Sequence, residues 1–388
     1  MSMGKVAKNT LYLLSGSVGQ KILAVVYFAI VARRLGVVGT GQYFTALSFT
    51  TIFSIFVDLG LANVLIREVA RAPAKAEKLL ANVLGIKIML AALTVLVVFA
   101  IASLLQYSPI IMTLIALASA VMVIDAIHLV FYGTMRGFQN LRYEAVGVMS
   151  GQAITILFGM VFLFLRLPVE FLIVALFCGS LWNVIWSGTM LYQKFGVRPH
   201  IAFDRQLVKF FASVTVPFAL AGIFSRVYSY IDTVMLSKLV GDTAVGLYSA
   251  AYKITFAFQF LPMAFAAAMY PAMSEYAAHN RAKLAELYVM VQKYLLLIVL
   301  PLSTGIFVLA RQIILLMYGP LYLGATLTLQ IIIFSLIFAF LYWPSGSLLN
   351  AADRQKQNTF VMGLTMVVNI IINALLIPKF GTIGAAVS

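Results

Sequence analysis

A chain of 388 residues with 63% apolar and only 10% charged side chains cannot coat itself for water, since soluble domains carry about 25% charged residues. The mean hydropathy of +1.03 places most of its surface in lipid, and the net charge of +15 then reads as loop cations held on the cytoplasmic side rather than as a nucleic-acid surface. The one cysteine, Cys178, excludes an intrachain disulfide, and no Cys/His spacing suits a metal.

The N-terminus Met1–Thr10 is short and basic and leads into a run long enough to span, so no cleavable signal is expected. In chain order, runs of about 20 apolar residues, enough to cross roughly 30 Å of hydrocarbon, predict eleven helices. They cover 10–32, 42–66, 79–105, 109–135, 145–165, 171–193, 210–236, 244–273, 286–310, 322–350 and 358–378. With the N-terminus cytoplasmic, the connecting segments hold seventeen basic residues inside and six outside. A bias that alternates correctly over every helix supports this count and orientation. The last residues, Lys379–Ser388, read as a turn and the start of another helix, so a truncated chain lacking at least a twelfth span is expected.

The chain divides at its most charged linker, Lys194–Lys209, which contains Pro199. Three parts follow: an N-terminal bundle of spans 1–6 (1–193), a cytoplasmic linker (194–209), and a C-terminal bundle (210–388) of spans 7–11 with the start of a twelfth. The halves echo each other. Residues 32–49 and 236–254 both place a basic residue and Leu before a Gly-rich turn and open the next helix with Gly-x-Tyr, so that Gly41 and Tyr43 match Gly246 and Tyr248 at an offset of 205. Residues 131–149 and 344–362 echo at an offset of 213. Parallel repeats of this kind are related by an axis along the membrane normal, with substrate between them. Reuse of turn residues at helix entries is the simpler alternative.

The runs ARRLG…GTGQYFTALSF, FVDLGLANVLIREVAR and DTVMLSKLVGDTAVGLYSAAYKI, with LARQIILLMYGPLY, LLNAADRQKQN and LLIPKFGTIGAA, resemble the polysaccharide flippase family. These are O-antigen-type exporters of lipid-linked oligosaccharides, within the larger group of MATE drug exporters and lipid II flippases. The resemblance implies an all-α integral membrane fold, with two pseudo-symmetric six-helix bundles around a central cavity and twelve to fourteen spans. It also implies a flippase of the cytoplasmic membrane that works by alternating access for surface polysaccharide biosynthesis. Its cargo would be an undecaprenyl-type pyrophosphate glycan, its partners membrane lipid and the polysaccharide assembly machinery. No cofactor, metal or nucleic acid is expected.

Charges within spans are costly, about 2.5–3.5 kcal/mol each on insertion scales, and mark cavities or partners. Lys21 and Arg226 correspond at the offset of 205, and Lys253 lies in the next span of the second half. A guanidinium fork and compact ammonium groups suit a pyrophosphate, so these three are the candidate substrate-binding cations. Asp58, Asp125, His128 and Asp232 stand as coupling or structural charges. Asp125 and His128 share a helix face, as a proton relay or a stitch between helices, and Asp58 reads as structural. Asp232 does not share a face with Arg226. Lys87, near a cytoplasmic end, is expected to snorkel. Pro217, Pro262, Pro301 and Pro344 fall within spans and are expected to bend them. Tyr43, Tyr107, Tyr318, Tyr322, Tyr342 and Trp343 are expected at the membrane interfaces.

Two rival functions remain. A MATE-type exporter of cationic drugs, coupled to an ion gradient, would prefer an acidic cavity. A membrane enzyme processing glycans lacks paired carboxylates, a Ser/His/Asp set and a large hydrophilic loop among twelve acidic residues and three histidines; no catalytic residue is assigned. The chain carries no nucleotide-binding loop.

Overall fold

The computed structural model describes the backbone from residue 3 and side chains over residues 23–215 and 219–388. Pro217 lies outside the described residues. Every regular element among the described residues is helical: α1 (Met3–Asp58), α2 (Leu61–Arg71), α3 (Ala76–Leu104), α4 (Pro109–Gly137), α5 (Arg142–Phe164), α6 (Glu170–Phe195), α7 (Arg205–Leu239), α8 (Asp242–Phe258), α9 (Phe260–His279), α10 (Arg281–Val308), α11 (Ala310–Tyr318), α12 (Thr326–Ala351), α13 (Gln355–Phe380) and α14 (Thr382–Val387), with 3₁₀ turns at Pro73–Lys75 and Pro320–Ala325.

Nine helical runs among the described residues are long and apolar enough to cross a membrane, and a tenth is the bent pair Arg205–Thr215 and Ala219–Leu239. The first run, Leu23–Arg71, holds 49 residues. At 1.5 Å per residue it is about 74 Å long, more than two crossings. Its division is at Gly36, whose φ of 68° and ψ of −178° lie outside the helical region and are open to glycine alone. That break separates the first two spans expected from the sequence, so this is a multi-pass membrane protein with one span fewer in outline than in substance. The expected span 244–273 is also broken, between α8 and α9, at Gln259. Pro262 has no N–H to return to Phe258, where α8 ends.

The chain forms two compact units: Gln42–Ile231 with the residues just before Phe28, and Phe28–Gly41 with Asp232–Ser388. In the first, α2 buries Leu61, Val64, Leu65 and Val69 on one stripe. They meet Leu80 and Leu84 of α3, Val130 and Met135 of α4, Leu191 of α6 and Phe211 of α7. The α4–α5 turn is closed by Arg136, whose Nε donates to Glu144 Oε2 at 2.8 Å while Nη2 donates to Oε1.

α5 and α6 approach on small residues. Gly147, Gly151, Thr155 and Gly159 recur every fourth residue along α5 and are all buried. Opposite them on α6 lie buried Gly179, Asn183 and Ser187. Between apolar helices in lipid there is no hydrophobic gain to bring them together, so close backbone approach and interhelical hydrogen bonds do it.

The charged linker is bound to α3. Ala202 N donates to Ala81 O at 3.1 Å, Asp204 N to Asn82 Oδ1 at 2.6 Å, and Arg198 N to Glu77 Oε2 at 3.1 Å. Lys78 Nζ pairs with Asp204 Oδ2 at 2.7 Å. A methyl at Gly85 would come within 2.7 Å of Ala202 O. Asp204 also caps α7, accepting from Gln206 N at 2.9 Å and Leu207 N at 3.4 Å. A cleft of about 430 Å³ lies between the strap and α3, and polar bonds together with the buried Val197 side chain hold the strap in place.

The bond from Lys78, followed by the two cap N–H groups, holds the Asp204 carboxyl below its ordinary 3.8. A depressed carboxyl favours the docked strap above the ordinary value and loses that contribution as pH falls through the depressed one. Hydrogen exchange at the Ala202 amide is therefore expected to accelerate as pH is lowered through 3.8 and below, relative to the intrinsic rate, and to be fast in Asp204→Ala at neutral pH. Equal protection in wild type and variant would show that the pair does not hold the strap.

In the second unit, α10 and α12 join through Val299, Leu295, Leu329, Ile333, Leu336 and Phe340, all fully buried. Gln292 Nε2 donates to Leu341 O at 3.1 Å, and Tyr288 OH meets Ser345 Oγ at 2.8 Å, beside Pro344 in the last third of α12. The aromatic expectation needs correction. Tyr342 and Trp343 are exposed, but Tyr43, Tyr107, Tyr318 and Tyr322 are buried, Tyr322 completely. Their rings are packed against protein because nearby helix breaks bring other segments over them.

Candidate functional site

The span charges fall into two groups. In the first unit, Lys87 does not snorkel. Its side chain is 2% exposed, and Nζ lies 2.5 Å from Asp58 Oδ1 and 3.3 Å from Ala126 O on α4. Snorkelling was the expectation from depth alone, but acceptors on neighbouring helices hold the ammonium inside the protein. Asp58 is the last residue of α1. Leu59 and Gly60 follow with φ of 45° and 85°, and Asp58 Oδ2 accepts from Gly60 N at 3.2 Å. The ammonium thus sits at a helix C-terminus, where the peptide dipoles favour a cation.

Asp125 Oδ1 and His128 Nε2 are 3.0 Å apart, with the carboxylate 42% and the imidazole 12% exposed. The imidazole stands edge-on to Tyr132, whose hydroxyl donates to Asn183 Oδ1 on α6 at 2.6 Å. This joins the pair to the α5–α6 contact, as a stitch would. Arg226, on α7, is exposed. Among the described residues it makes no hydrogen bond or ion pair, so its guanidinium retains all five donors for a ligand. Lys21 lies outside the described residues.

In the second unit, Lys253 on α8 is half-buried, with its ammonium 5.8 Å from the centre of the Phe28 ring. Asp232 is the centre of a polar cluster. Its Oδ2 accepts from Tyr248 OH at 2.9 Å, and its Oδ1 from Asn373 Nδ2 at 2.6 Å. Asn373 Nδ2 also reaches Asn369 Oδ1 at 3.2 Å, and Ser388 Oγ donates to Asn373 Oδ1 at 2.7 Å. Both amides are buried. A carboxylate, two amides and a phenol from the spans, with the Ser388 hydroxyl beside them, have the chemistry of a proton or small-cation site. The sequence reading singled out Asp232 and missed the amides. The available signal was two Asn four residues apart in an otherwise apolar run, which face one way on a helix.

Comparison with known proteins fits this geometry. The family described as "Polysaccharide biosynthesis protein" matches residues 6–277, and the MatE family matches residues 217–375. An uncharacterized membrane protein of Methanocaldococcus jannaschii is 25% identical over 386 residues, spanning 92% of this chain and 75% of the relative. A probable low-salt glycan biosynthesis flippase of Haloferax volcanii, Agl15, is 24% identical over 223 residues, 57% of this chain and 46% of the relative, so this match spans about half of that protein. Among solved structures, the lipid II flippase MurJ in an inward closed conformation superposes with a TM-score of 0.78 at 15% identity, over 97% of this chain and 83% of that one. The all-helical membrane fold and a family match over more than half of the chain show that it belongs to the polysaccharide biosynthesis protein family.

Proposed function

We propose that this protein moves a lipid-linked oligosaccharide across the cytoplasmic membrane by alternating access, for synthesis of a surface polysaccharide, with its N-terminus in the cytoplasm. The observation that carries this reading is Arg226, an exposed guanidinium within a span and without an anionic partner among the described residues. An anionic head group such as a polyprenyl-linked pyrophosphate supplies that partner. Lys21 and Lys253 are the further cations proposed to meet it. The work is translocation, with no covalent step assigned to the chain.

Asp232 and its amides are proposed as the coupling centre, where uptake of a proton or small cation is exchanged for a change of conformation. The match of the MatE family to residues 217–375, which contain Asp232, Tyr248, Asn369 and Asn373, favours ion coupling and keeps the MATE-type drug exporter as a second reading. Such an exporter needs exposed acid for its cationic cargo, yet Asp58 and Asp232 are both engaged by neighbours, and Asp125, whose carboxylate is 42% exposed, already meets His128 at 3.0 Å.

The test is replacement of Arg226 in cells that depend on the protein for surface glycan. Arg226→Ala is expected to lower glycan display at least tenfold at unchanged protein level, and Arg226→Lys to restore part of it. Full display in Arg226→Ala defeats the cationic reading. Resistance to cationic drugs on expression, with glycan display indifferent to the chain, establishes the second reading instead.

A further inference from the structure

The repeat seen in the sequence reappears as a reciprocal contact within the second unit. Gly36 and Gly241 are 205 residues apart. Their backbone angles are φ 68°, ψ −178° and φ 113°, ψ 179°, a region open to glycine alone. Each is followed five residues later by a second glycine, Gly41 or Gly246. A methyl on Gly41 would overlap the carbonyl oxygen of Asp242, and a methyl on Gly246 would overlap that of Val37. Val37 and Asp242 are again equivalent at the same offset. Each glycine therefore takes the carbonyl of the residue four positions ahead of the other glycine, as two halves related by a twofold axis require. This accounts for the recurrence of both glycines at the offset of 205.

Other bonds line the same seam. The Tyr322 hydroxyl donates to Ala32 O at 2.9 Å and lies 2.8 Å from Thr40 Oγ1. Its one proton is committed to the carbonyl, so Thr40 is the donor. Thr40 and Tyr322 are wholly buried. Arg33 Nε donates to Met317 O at 2.9 Å and Nη2 to Leu316 O, capping the last carbonyls of α11. Gly319, which ends α11, repeats the glycine-only conformation at φ 89°, ψ −178°. The three connections involved, around 33–41, 240–246 and 316–325, all fall on the side that loop charge places outside.

We propose that this seam is the outer gate of the transporter: residues 28–41 close against α8 and the Pro320–Ala325 turn, and leave them when cargo is discharged. This rests on the flippase reading above. Contacts with no room for a methyl have no room for water, so the closed seam is tight. It is also built for release. Its anchors are hydrogen bonds to backbone oxygens, for which outside water can substitute. The Tyr318 hydroxyl is buried without a partner among the described residues, a deficit that opening relieves.

The test places one reactive thiol in the seam. In the full chain with Cys178→Ser, Thr40→Cys is expected to react slowly with a membrane-impermeant maleimide applied to intact cells. Adding Gly246→Leu, which wedges the seam, is expected to raise the rate at least fivefold. Arg33→Ala with Tyr322→Phe, which removes anchors without adding bulk, is expected to do the same and serves where the Leu variant fails to accumulate. Unchanged rates in both backgrounds, or labelling only from the cytoplasmic side, overturn the gate. Because thiol labelling needs no glycan, accelerated labelling combined with glycan display indifferent to Arg226→Ala would reject the flippase reading and leave the gate standing.

Discussion

Gly151→Leu is expected to prevent stable folding. A Cβ at this position overlaps the side-chain amide of Asn183 and lies 3.2 Å from Gly179 O. Neither neighbour can retreat. Gly179 contributes backbone, and Asn183 accepts the Tyr132 hydroxyl at 2.6 Å and donates to Gly179 O at 3.0 Å. The larger side chain must push α5 away from α6 or drive the Asn183 amide out of both bonds. Overpacking typically costs 1–3 kcal/mol, and loss of buried hydrogen bonds adds to it, so a total above about 3 kcal/mol is expected. The readout is the yield of monodisperse protein in detergent and its melting temperature. Gly305→Ala is the control: a Cβ there meets nothing within 4 Å, and a helix interior gains about 1 kcal/mol on exchanging Gly for Ala. If Gly151→Leu melted within a degree or two of wild type, the small-residue contact would not be what joins these helices.

The second large effect is an asymmetry at Asp58 and Lys87. Asp58→Ala leaves an ammonium that is 2% exposed with Ala126 O as its remaining acceptor. Stranding a buried charge in this way costs about 3–5 kcal/mol. Lys87→Met should cost less, because the Asp58 side chain is 30% exposed and retains the Gly60 amide. The double variant Asp58→Ala/Lys87→Met should recover most of the loss, since with both charges gone no ionic desolvation cost remains. A double-mutant cycle on melting temperature measures this. Additive single effects would mean that the two groups do not act as a pair.

The spans were legible because apolar length is a property of the sequence alone. The offset of 205 was legible because glycine identity survives where geometry demands it. What escaped depended on a partner elsewhere in the chain. Lys87 was read by its depth, yet its fate is decided by Asp58, 29 positions away in sequence and 2.5 Å away in space. Asn369 and Asn373 gain meaning only beside Asp232. The Gly147–Gly151–Thr155–Gly159 stripe was open to reading at a spacing of four, but isolated glycines suggest turns before they suggest a contact face. Tyr318 and Tyr322 resemble interfacial aromatics until the breaks at Gly36 and Gly319 fold protein over them.

Residues 28–41 lie early in the chain but pack with Asp232–Ser388, and this sets a rule for recombining relatives. A chimera joined at the charged linker would take its first half, with this segment, from one parent and its gate partners from another. Gly41 would then face a foreign residue at 242, Thr40 a foreign one at 322, and Arg33 a foreign α11 end. A crossover scheme that carries 28–41 together with 232–388 from a single parent keeps each of these pairs matched, so the inheritable module of this protein is discontinuous in its gene.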